Sequence, residues 1–181
     1  GVRYTAEDEA IDIPARLAEL AAYLKEETER LGLPMPRFLM EPGRSIVADA
    51  GMTLYTVGSV KRIPGYKQYA AVDGGMTDNP RYALYQSRYT VYHAHKSGSM
   101  ERFDVVGRCC ESGDIIQPGV ELPGDTCRGD ILAVCTTGAY NYSMASNYNR
   151  LPRPAVVMLT PDRIYEAVRR ETFADLTALD L

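Results

Sequence analysis

The sequence predicts an α/β segment joined to a mostly antiparallel β-barrel or sandwich domain. An amphipathic helix pattern occupies residues 14–31, with apolar residues at the spacing of one helix face. After residue 52 the sequence pattern changes to short β-rich runs separated by Gly, Pro and Asp. This pattern is typical of consecutive strands with few helices between them. The predicted boundary therefore divides residues 1–52 from residues 53–181.

The first segment reads as a helix, a loop and a strand. The helix over residues 14–31 has Gly32 as its stop signal. A short apolar run at residues 37–40 predicts a strand, and the Glu-Pro-Gly-Arg motif of residues 41–44 follows as a loop where a second helix can begin. A complete (β/α)8 barrel needs roughly 250 residues. The segment is therefore predicted to be a remnant, the last part of such a barrel.

The second segment contains the predicted strands. Residues 53–63 and 66–72 are expected to form a hairpin around the turn dipeptide Pro64-Gly65. Further strands are predicted at residues 89–95, 102–106, 129–136 and 155–160. The run Thr160-Pro161-Asp162 has the signature of a helix start, so a terminal helix is predicted to about residue 170.

Composition excludes several classes of protein. The chain has 181 residues, 45% hydrophobic and 24% charged, which is typical of a folded domain rather than a disordered one. A net charge of −4 with scattered basic residues gives no footprint for nucleic acid, and no apolar run is long enough to span a membrane. The four cysteines fit neither paired zinc-ligand spacing nor a secreted disulfide framework. We therefore expect free thiols, no metal site and a cytoplasmic protein.

Two motifs place an arginine where an anion could bind. In residues 41–44, Gly43 lets the backbone approach a phosphate and Arg44 supplies a planar, permanent charge; the alternative is a solvated turn. Arg81 and Tyr85 are four residues apart, so a helix there would put both on one face, where they could bind a carboxylate. The alternative is an ordinary helix face.

Two further motifs place reactive or aromatic groups in loops. Residues 109–114 combine two thiols, two carboxylates and a glycine, and can offer a thiol for proton transfer and a carboxylate for an amine; the alternative is buried cysteine in a polar turn. Tyr140 lies in a stretch rich in Tyr and Asn, which suits a bound planar group or a turn packed by aromatics. His93 and His95 lack further ligands for a metal and are interpreted as structural.

Taken in order, these motifs resemble the C-terminal half of the diaminopimelate decarboxylase family, within the alanine-racemase-like group of pyridoxal-phosphate enzymes. The matching segments are residues 41–44, residues 73–76, Pro80-Arg81 with Tyr85, residues 110–114, residues 138–140, and Tyr148-Asn149 before Arg153-Pro154. Each motif alone is unspecific. The ordered set spans essentially the whole chain.

The resemblance implies a role for each matched residue. The pyridoxal 5'-phosphate cofactor would contact Glu41, Gly43, Arg44 and Tyr140, with Glu41 facing the pyridine nitrogen and Gly43 the phosphate. The substrate would be held by Arg44, Arg81, Tyr85, Glu111 and Tyr140. Cys110 would serve proton transfer as the catalytic residue. In the family the residues that match Cys110 and Glu111 reach the neighbouring subunit's site, so a homodimer is implied.

The implied reaction converts meso-diaminopimelate to L-lysine and CO2 in lysine biosynthesis. The family's Schiff-base lysine belongs to the first barrel strand, and no lysine here stands in that motif. Together with a start at Gly1 rather than Met, this predicts an incomplete chain that is inactive alone.

Two alternatives to this reading remain. One is another amino-acid or polyamine decarboxylase of the group, although ornithine has no distal carboxylate to match Arg81 and Tyr85. The other is a non-catalytic regulatory or binding homologue, which would keep the β-domain for subunit contact and would not need the lysine.

Overall fold

A computed structural model describes residues 2–181, and its first element is a long helix. Helix α1, Ile13–Leu31, confirms the predicted helix. Asp12 caps its first turn by accepting the N–H of Ala15 at 3.0 Å, and Gly32 ends it with a φ of 64°. No residue of α1 is buried, so its apolar stripe has no partner within residues 2–181. No helix of this part of the chain is long and apolar enough to cross a membrane.

The strand predicted at residues 37–40 does not form. The run is irregular, and Phe38 and Leu39 are 51% and 72% exposed. A strand needs a neighbour to pair its backbone groups, and the described residues place none beside it. A short helix α2, Arg44–Val47, follows the loop where the sequence predicted that a second helix could begin.

A six-stranded mixed sheet forms the centre of the fold, in the order β3-β6-β1-β2-β4-β5. Its strands are β1 Met52–Ile63, β2 Lys67–Val72, β3 Val91–His93, β4 Met100–Val106, β5 Ile115–Pro123 and β6 Ile131–Cys135. The predicted β1–β2 hairpin is confirmed. All neighbouring strands are antiparallel except β2 and β4. Strands β2 and β4 are parallel, which requires a long crossover connection between them. This crossover contains helix α3, Arg81–Tyr85.

The sheet curls until its edge strands β3 and β5 contact each other. At this seam the backbone N–H of Tyr89 donates to Oε1 of Gln117 at 2.8 Å. The interior is filled by fully buried side chains, among them Phe103, Ile116 and Leu132. Truncating a buried Phe of this kind to Ala costs about 3–5 kcal/mol. The β-domain is therefore a nearly closed barrel rather than a sandwich.

Strand β5 was not predicted from the sequence. Its Pro118-Gly119 dipeptide looks like a loop signal, but the structure places both residues in a β-bulge opposite Asp104. The Asp104 carboxylate accepts the N–H of Gly119 at 2.8 Å. The proline therefore takes no ladder hydrogen bond away from the sheet.

The helix predicted at residues 160–170 is wrong. Strands β7, Val156–Leu159, and β8, Ile164–Val168, pair there as an antiparallel two-stranded sheet. Thr160 and Arg163 close the turn between them, since the N–H of Thr160 donates to the Arg163 carbonyl at 3.0 Å. A Thr-Pro-Asp run starts a turn as readily as a helix, and the neighbouring strand decided between them. The terminal helix, α4, lies later, at Phe173–Thr177.

Candidate active site

Two glycines bring helix α2 against the loop that follows β6. A Cβ on Gly138 would overlap the carbonyl oxygen of Val47, and a Cβ on Gly51 would overlap the backbone of Gly138. Only glycine permits so close an approach of two backbones. As a consequence Arg44, at the start of α2, lies beside Tyr140, which follows Gly138 by two residues.

Tyr140 lies between two arginines. The guanidinium carbons of Arg44 and Arg81 are 5.4 Å and 4.9 Å from its ring centre. Arg81 also stacks on Tyr85 at 5.2 Å, and Arg44 on Tyr4 at 5.7 Å. These distances are those of cation–π contacts. We call Tyr4, Arg44, Arg81, Tyr85 and Tyr140 the arginine–tyrosine cluster. Four of these residues come from three motifs that sequence analysis had selected.

The cluster carries positive charge without a matching anion. Neither Arg44 nor Arg81 has a carboxylate partner within residues 2–181. Arg81 is only 7% exposed, its Nε has no hydrogen-bond acceptor there, and its Nη2 reaches Ser87 Oγ at 3.5 Å. A buried charge left unpaired is costly. The cluster is therefore suited to an anionic ligand.

The loop before α2 leaves room beside this cluster. A Cβ on Gly43 would meet no atom within 4 Å, so the space along its backbone is open. Glu41 is exposed in the same loop, and its side chain has no hydrogen-bond or ion-pair partner among the described residues. Within the described chain, the open side of the Gly43 backbone and the Glu41 side chain are therefore free to contact a bound group.

A second group of residues surrounds the Cys110 loop, which we define as residues 107–114 between β4 and β5. Its last residue, Asp114, is 4% exposed and accepts the N–H groups of Cys109 and Met76, both at 2.6 Å. A Cβ on Gly75 would lie 2.6 Å from that carboxylate, which explains the glycine. One buried carboxylate therefore ties the Cys110 loop to the loop after β2.

The adjacent thiols of Cys109 and Cys110 differ in environment. Burial, and then the Asp114 carboxylate, raise the pKa of the Cys109 thiol to about 11. Cys110 is exposed, and its backbone N–H donates to Oδ1 of Asn149 at 2.7 Å. The thiolate is the reactive form of cysteine. Cys109 is therefore unreactive at neutral pH, and Cys110 is the accessible thiol.

Glu111 makes its side-chain contacts outside the arginine–tyrosine cluster. It is exposed, and the hydroxyl of Tyr148 donates to its Oε2 at 3.5 Å. Within residues 2–181, no hydrogen bond or ion pair joins Glu111 or Cys110 to the cluster. The single chain therefore presents two separate groups: a cationic aromatic cluster, and a loop with a thiol and a carboxylate.

Sequence reasoning gave no role to Tyr4 or Asn149. Tyr4 packs edge-on against Tyr89 with ring centres 5.3 Å apart, and its carbonyl accepts the hydroxyl of Thr90 at 2.9 Å. Only the excess of tyrosine hinted at it, because its partners are distant in sequence. Asn149 has a φ of 57°, a conformation that asparagine tolerates better than most residues, and its Tyr-Asn motif was the available signal.

A groove of about 770 Å3 lies elsewhere, at the turn between β1 and β2. It is lined by Arg62, Tyr66, Lys67 and Arg102 among others. Lys67 is paired with Asp104 at 2.7 Å. The groove contains none of the residues selected from the sequence, so we do not assign it to the candidate site.

Known proteins resemble this chain in sequence and in fold. Residues 10–138 match the family described as pyridoxal-dependent decarboxylase, C-terminal sheet domain. The chain is 48% identical over 183 residues to a diaminopimelate decarboxylase of Bacillus subtilis (strain 168), which covers 100% of this chain and 42% of that protein. The chain therefore spans less than half the length of the curated relative.

Solved structures agree with the sequence match. A diaminopimelate decarboxylase from M. jannaschii in complex with L-lysine superposes with a TM-score of 0.88 at 32% identity, covering 100% of this chain and 41% of that one. A lysine/ornithine decarboxylase from Vibrio vulnificus complexed with cadaverine gives a TM-score of 0.69 at 25% identity, over 82% of this chain and 38% of that one. The chain therefore belongs to the pyridoxal-dependent decarboxylase family, through the C-terminal sheet domain.

Proposed function

We propose that this chain is the C-terminal part of a longer diaminopimelate decarboxylase, which converts meso-diaminopimelate to L-lysine and CO2. The observation that carries the proposal is the pair of arginines, Arg44 and Arg81, around Tyr140, neither of which has an acidic partner within residues 2–181. Meso-diaminopimelate carries a second carboxylate at the end that does not react. A guanidinium is suited to bind such a group through two hydrogen bonds.

Residues of the cluster, together with the loop before α2, fit pyridoxal 5'-phosphate. The open backbone at Gly43 and the charge of Arg44 suit its phosphate, Tyr140 offers a ring for contact, and Glu41 can face the pyridine nitrogen. When bound, the cofactor supplies an acceptor for the electron pair that CO2 leaves behind.

The lysine that holds the cofactor is proposed to lie outside this chain. Lys67 and Lys96 are engaged by Asp104 and Asp130, both at 2.7 Å. Lys25 lies on α1 and Lys61 on β1. Within residues 2–181, none of the four has a hydrogen bond or ion pair to the arginine–tyrosine cluster.

Each site residue then has one task. Arg81 and Tyr85, with Arg44, bind the distal carboxylate and orient the substrate. Glu111 binds the amine at that same end. Cys110 delivers a proton to the substrate carbon that has lost its carboxylate. These residue roles come from the family resemblance and are compatible with the exposure of Cys110 and Glu111.

We further propose that the active unit is a homodimer. Within residues 2–181, no hydrogen bond or ion pair joins Cys110 or Glu111 to the arginine–tyrosine cluster, and both residues are exposed. A second subunit that placed its own Cys110 loop against the cluster would complete the site. The four cysteines of this chain are free thiols, as expected in a reducing compartment. We therefore propose that the enzyme is cytoplasmic.

Residues 1–52 are proposed to be the last part of a (β/α)8 barrel. Many apolar side chains of this segment are exposed, including Leu17 at 40%, Phe38 at 51% and Ile46 at 62%. Neighbouring strands and helices of a barrel would bury them and would pair the backbone of residues 37–40.

The test uses the full-length protein with pyridoxal phosphate and measures CO2 and amine products from meso-diaminopimelate, ornithine and lysine in parallel. We expect L-lysine from meso-diaminopimelate and no product from ornithine or lysine. Turnover of ornithine or lysine instead would favour a polyamine-type decarboxylase. No turnover of any of the three, in a protein that folds and binds the cofactor, would favour a non-catalytic homologue.

A further inference from the structure

The residue pair Tyr148-Asn149 faces the pair Cys110-Glu111. Oδ1 of Asn149 accepts the backbone N–H of Cys110 at 2.7 Å, and the hydroxyl of Tyr148 donates to Glu111 at 3.5 Å. The first is a short, direct hydrogen bond, and the second is at the long limit. Two adjacent residues of one loop therefore contact two adjacent residues of another, and the Asn149 contact is the stronger.

Asn149 makes this contact from a strained backbone. Its φ of 57° lies in the left-handed region, and so does that of the next residue, Arg150. Left-handed conformations of non-glycine residues cost free energy and persist only where the surroundings impose them. Hydrogen bonds of Asn147 span this turn: its carbonyl accepts the N–H of Arg150 at 2.8 Å, and its side-chain amide donates to the Leu151 carbonyl at 3.1 Å. In this conformation the side chain of Asn149 points to the backbone N–H of Cys110.

The residue before Cys110 is also held by a hydrogen bond. The N–H of Cys109 is held by the buried carboxylate of Asp114 at 2.6 Å. Asp114 belongs to the same loop, whereas Asn149 reaches across from the segment before β7. Successive N–H groups of the loop, those of Cys109 and Cys110, are therefore bonded by two different side chains. An exposed loop gains a defined conformation from such bonds.

We propose that Asn149 is a positioning residue that fixes the backbone of Cys110 so that its thiol is presented in one orientation. The inference deepens the proposed function, on which it rests for the role of Cys110 in proton transfer. A thiol that must meet one substrate carbon gains rate from being held in place. Asn149 touches neither substrate nor cofactor and acts through Cys110.

The test compares Asn149→Gly with Asn149→Asp in the full-length holoenzyme. Both residues tolerate the left-handed conformation, but only Asp keeps an oxygen for the Cys110 N–H. We expect Asn149→Gly to lower kcat about three- to tenfold, the effect of losing one hydrogen bond, with KM unchanged within about twofold. Asn149→Asp should stay within about threefold of the wild-type kcat, because the acceptor remains. Equal kcat values for the two variants would overturn the proposal.

A readout independent of turnover is the rate at which iodoacetamide alkylates Cys110, followed by peptide mass spectrometry at pH 8. Loss of the acceptor frees the loop, so we expect Asn149→Gly to alkylate at Cys110 roughly threefold faster or more. The exposed Cys127 is the internal control and should not change, nor should Tm. An unchanged Cys110 rate would overturn the positioning role. If wild-type protein fails to turn over meso-diaminopimelate while the Cys110 rate shifts as expected, the proposed function fails and the hydrogen-bond role stands.

Discussion

Arg81 combines a permanent charge with burial. Its guanidinium cannot lose its proton in a protein, and its Nε lacks an acceptor among the described residues. Packing between Tyr85 and Tyr140 fixes the plane of the group. A fixed, unpaired cation is a strong determinant of specificity, because a substrate that lacks an anionic group would leave it unmatched.

Replacing Arg81 is expected to weaken substrate use far more than cofactor binding. In the full-length enzyme Arg81→Ala should lower kcat/KM for meso-diaminopimelate by about ten- to a hundredfold, since a charged hydrogen bond contributes about 1.5–3 kcal/mol. Cofactor affinity should change little. The exposed Arg88 offers a matched control, and Arg88→Ala should behave as wild type. Unchanged kcat/KM in Arg81→Ala would contradict the assignment.

Cys109 and Cys110 are expected to differ in pH dependence despite their adjacency. With a pKa of about 11, Cys109 holds about one thiolate per thousand molecules at pH 8. Its alkylation should therefore stay slow at pH 8 and rise steeply as the pH approaches 11. Site-resolved alkylation between pH 7 and pH 11 measures this. Rapid labelling of Cys109 at pH 7 would contradict the burial of its thiol.

Activity should separate the same two residues. Cys109→Ser is expected to retain activity within about threefold, because its thiol only fills a half-buried position. Cys110→Ser should lower kcat by about a hundredfold or more, since general acid–base groups commonly contribute that much. Measuring kcat of both variants in the full-length enzyme checks this. Equal losses would mean that the loop, and not the Cys110 thiol, is what activity requires.

Glu171 joins the two ends of the β7–β8 hairpin through its contacts with Arg153 and Asn147, which we call the clasp. An isolated two-stranded sheet is marginally stable in water. Arg153 precedes β7 and Glu171 follows β8, and Nε of Arg153 donates to Glu171 at 2.7 Å. The amide of Asn147 also donates to Glu171, at 2.6 Å. One carboxylate therefore joins both ends of the hairpin to the segment that positions Asn149.

The hairpin is expected to loosen in acid. Hydrogen bonding from Arg153 lowers the pKa of Glu171 from 4.5 to about 2. Because the folded pKa is below the unfolded one, the stabilisation is fully present above about pH 4.5 and is lost as the pH falls towards 2. Hydrogen exchange of the β7–β8 amides at pH 6 and pH 3 measures this. In Glu171→Gln the β7–β8 amides should lose their protection against hydrogen exchange at both pH values.

The matched control for the clasp is Glu166→Gln, which changes an exposed carboxylate of β8 itself. It should keep the protection of wild type at pH 6 and lose it on acidification in the same way. Wild-type protection in Glu171→Gln at pH 6 would show that pairing within the hairpin is sufficient and that the clasp adds nothing.

Two regions of the described chain carry many exposed apolar side chains. In residues 11–47 they include Leu31, Phe38 and Leu39, and in the C-terminal part they include Leu159, Ile164 and Phe173. Exposed apolar surface of this extent marks places where another protein surface belongs. The barrel core, in contrast, is filled by its own side chains. The core of the β-domain is therefore complete without the surfaces that would cover these two regions.

The chain alone is expected to be inactive and to self-associate. Without a lysine at the arginine–tyrosine cluster, pyridoxal phosphate should give no absorbance band of a lysine-bound cofactor, and no CO2 should form from meso-diaminopimelate. The exposed apolar surfaces should produce dimers or larger species on size-exclusion chromatography. Titration with the cofactor, the CO2 assay and chromatography test the three expectations. Turnover by the chain alone would contradict the proposed location of the cofactor lysine.

Local sequence signals were sufficient for several elements. Apolar spacing and the stop at Gly32 predicted α1, and Pro64-Gly65 predicted the first hairpin. Helical hydrogen bonds and tight turns join residues within four positions, so their signals lie in one short window. The ordered motifs also pointed to the family that the comparisons then established. The helix α1, the first hairpin, the β-rich character of the domain and the family were thus readable from the sequence.

Contacts between distant segments settled the rest. The run at residues 37–40 lacks the neighbour it needs to become a strand, β8 exists because β7 lies beside it, and β5 keeps its Pro-Gly through a bulge opposite β4. The pairing of Arg44 with Tyr140 likewise depends on the close crossing of Gly51 and Gly138. Which residues meet across such distances depends on the packing of the complete chain, because each contact forms only when both partners are already in place.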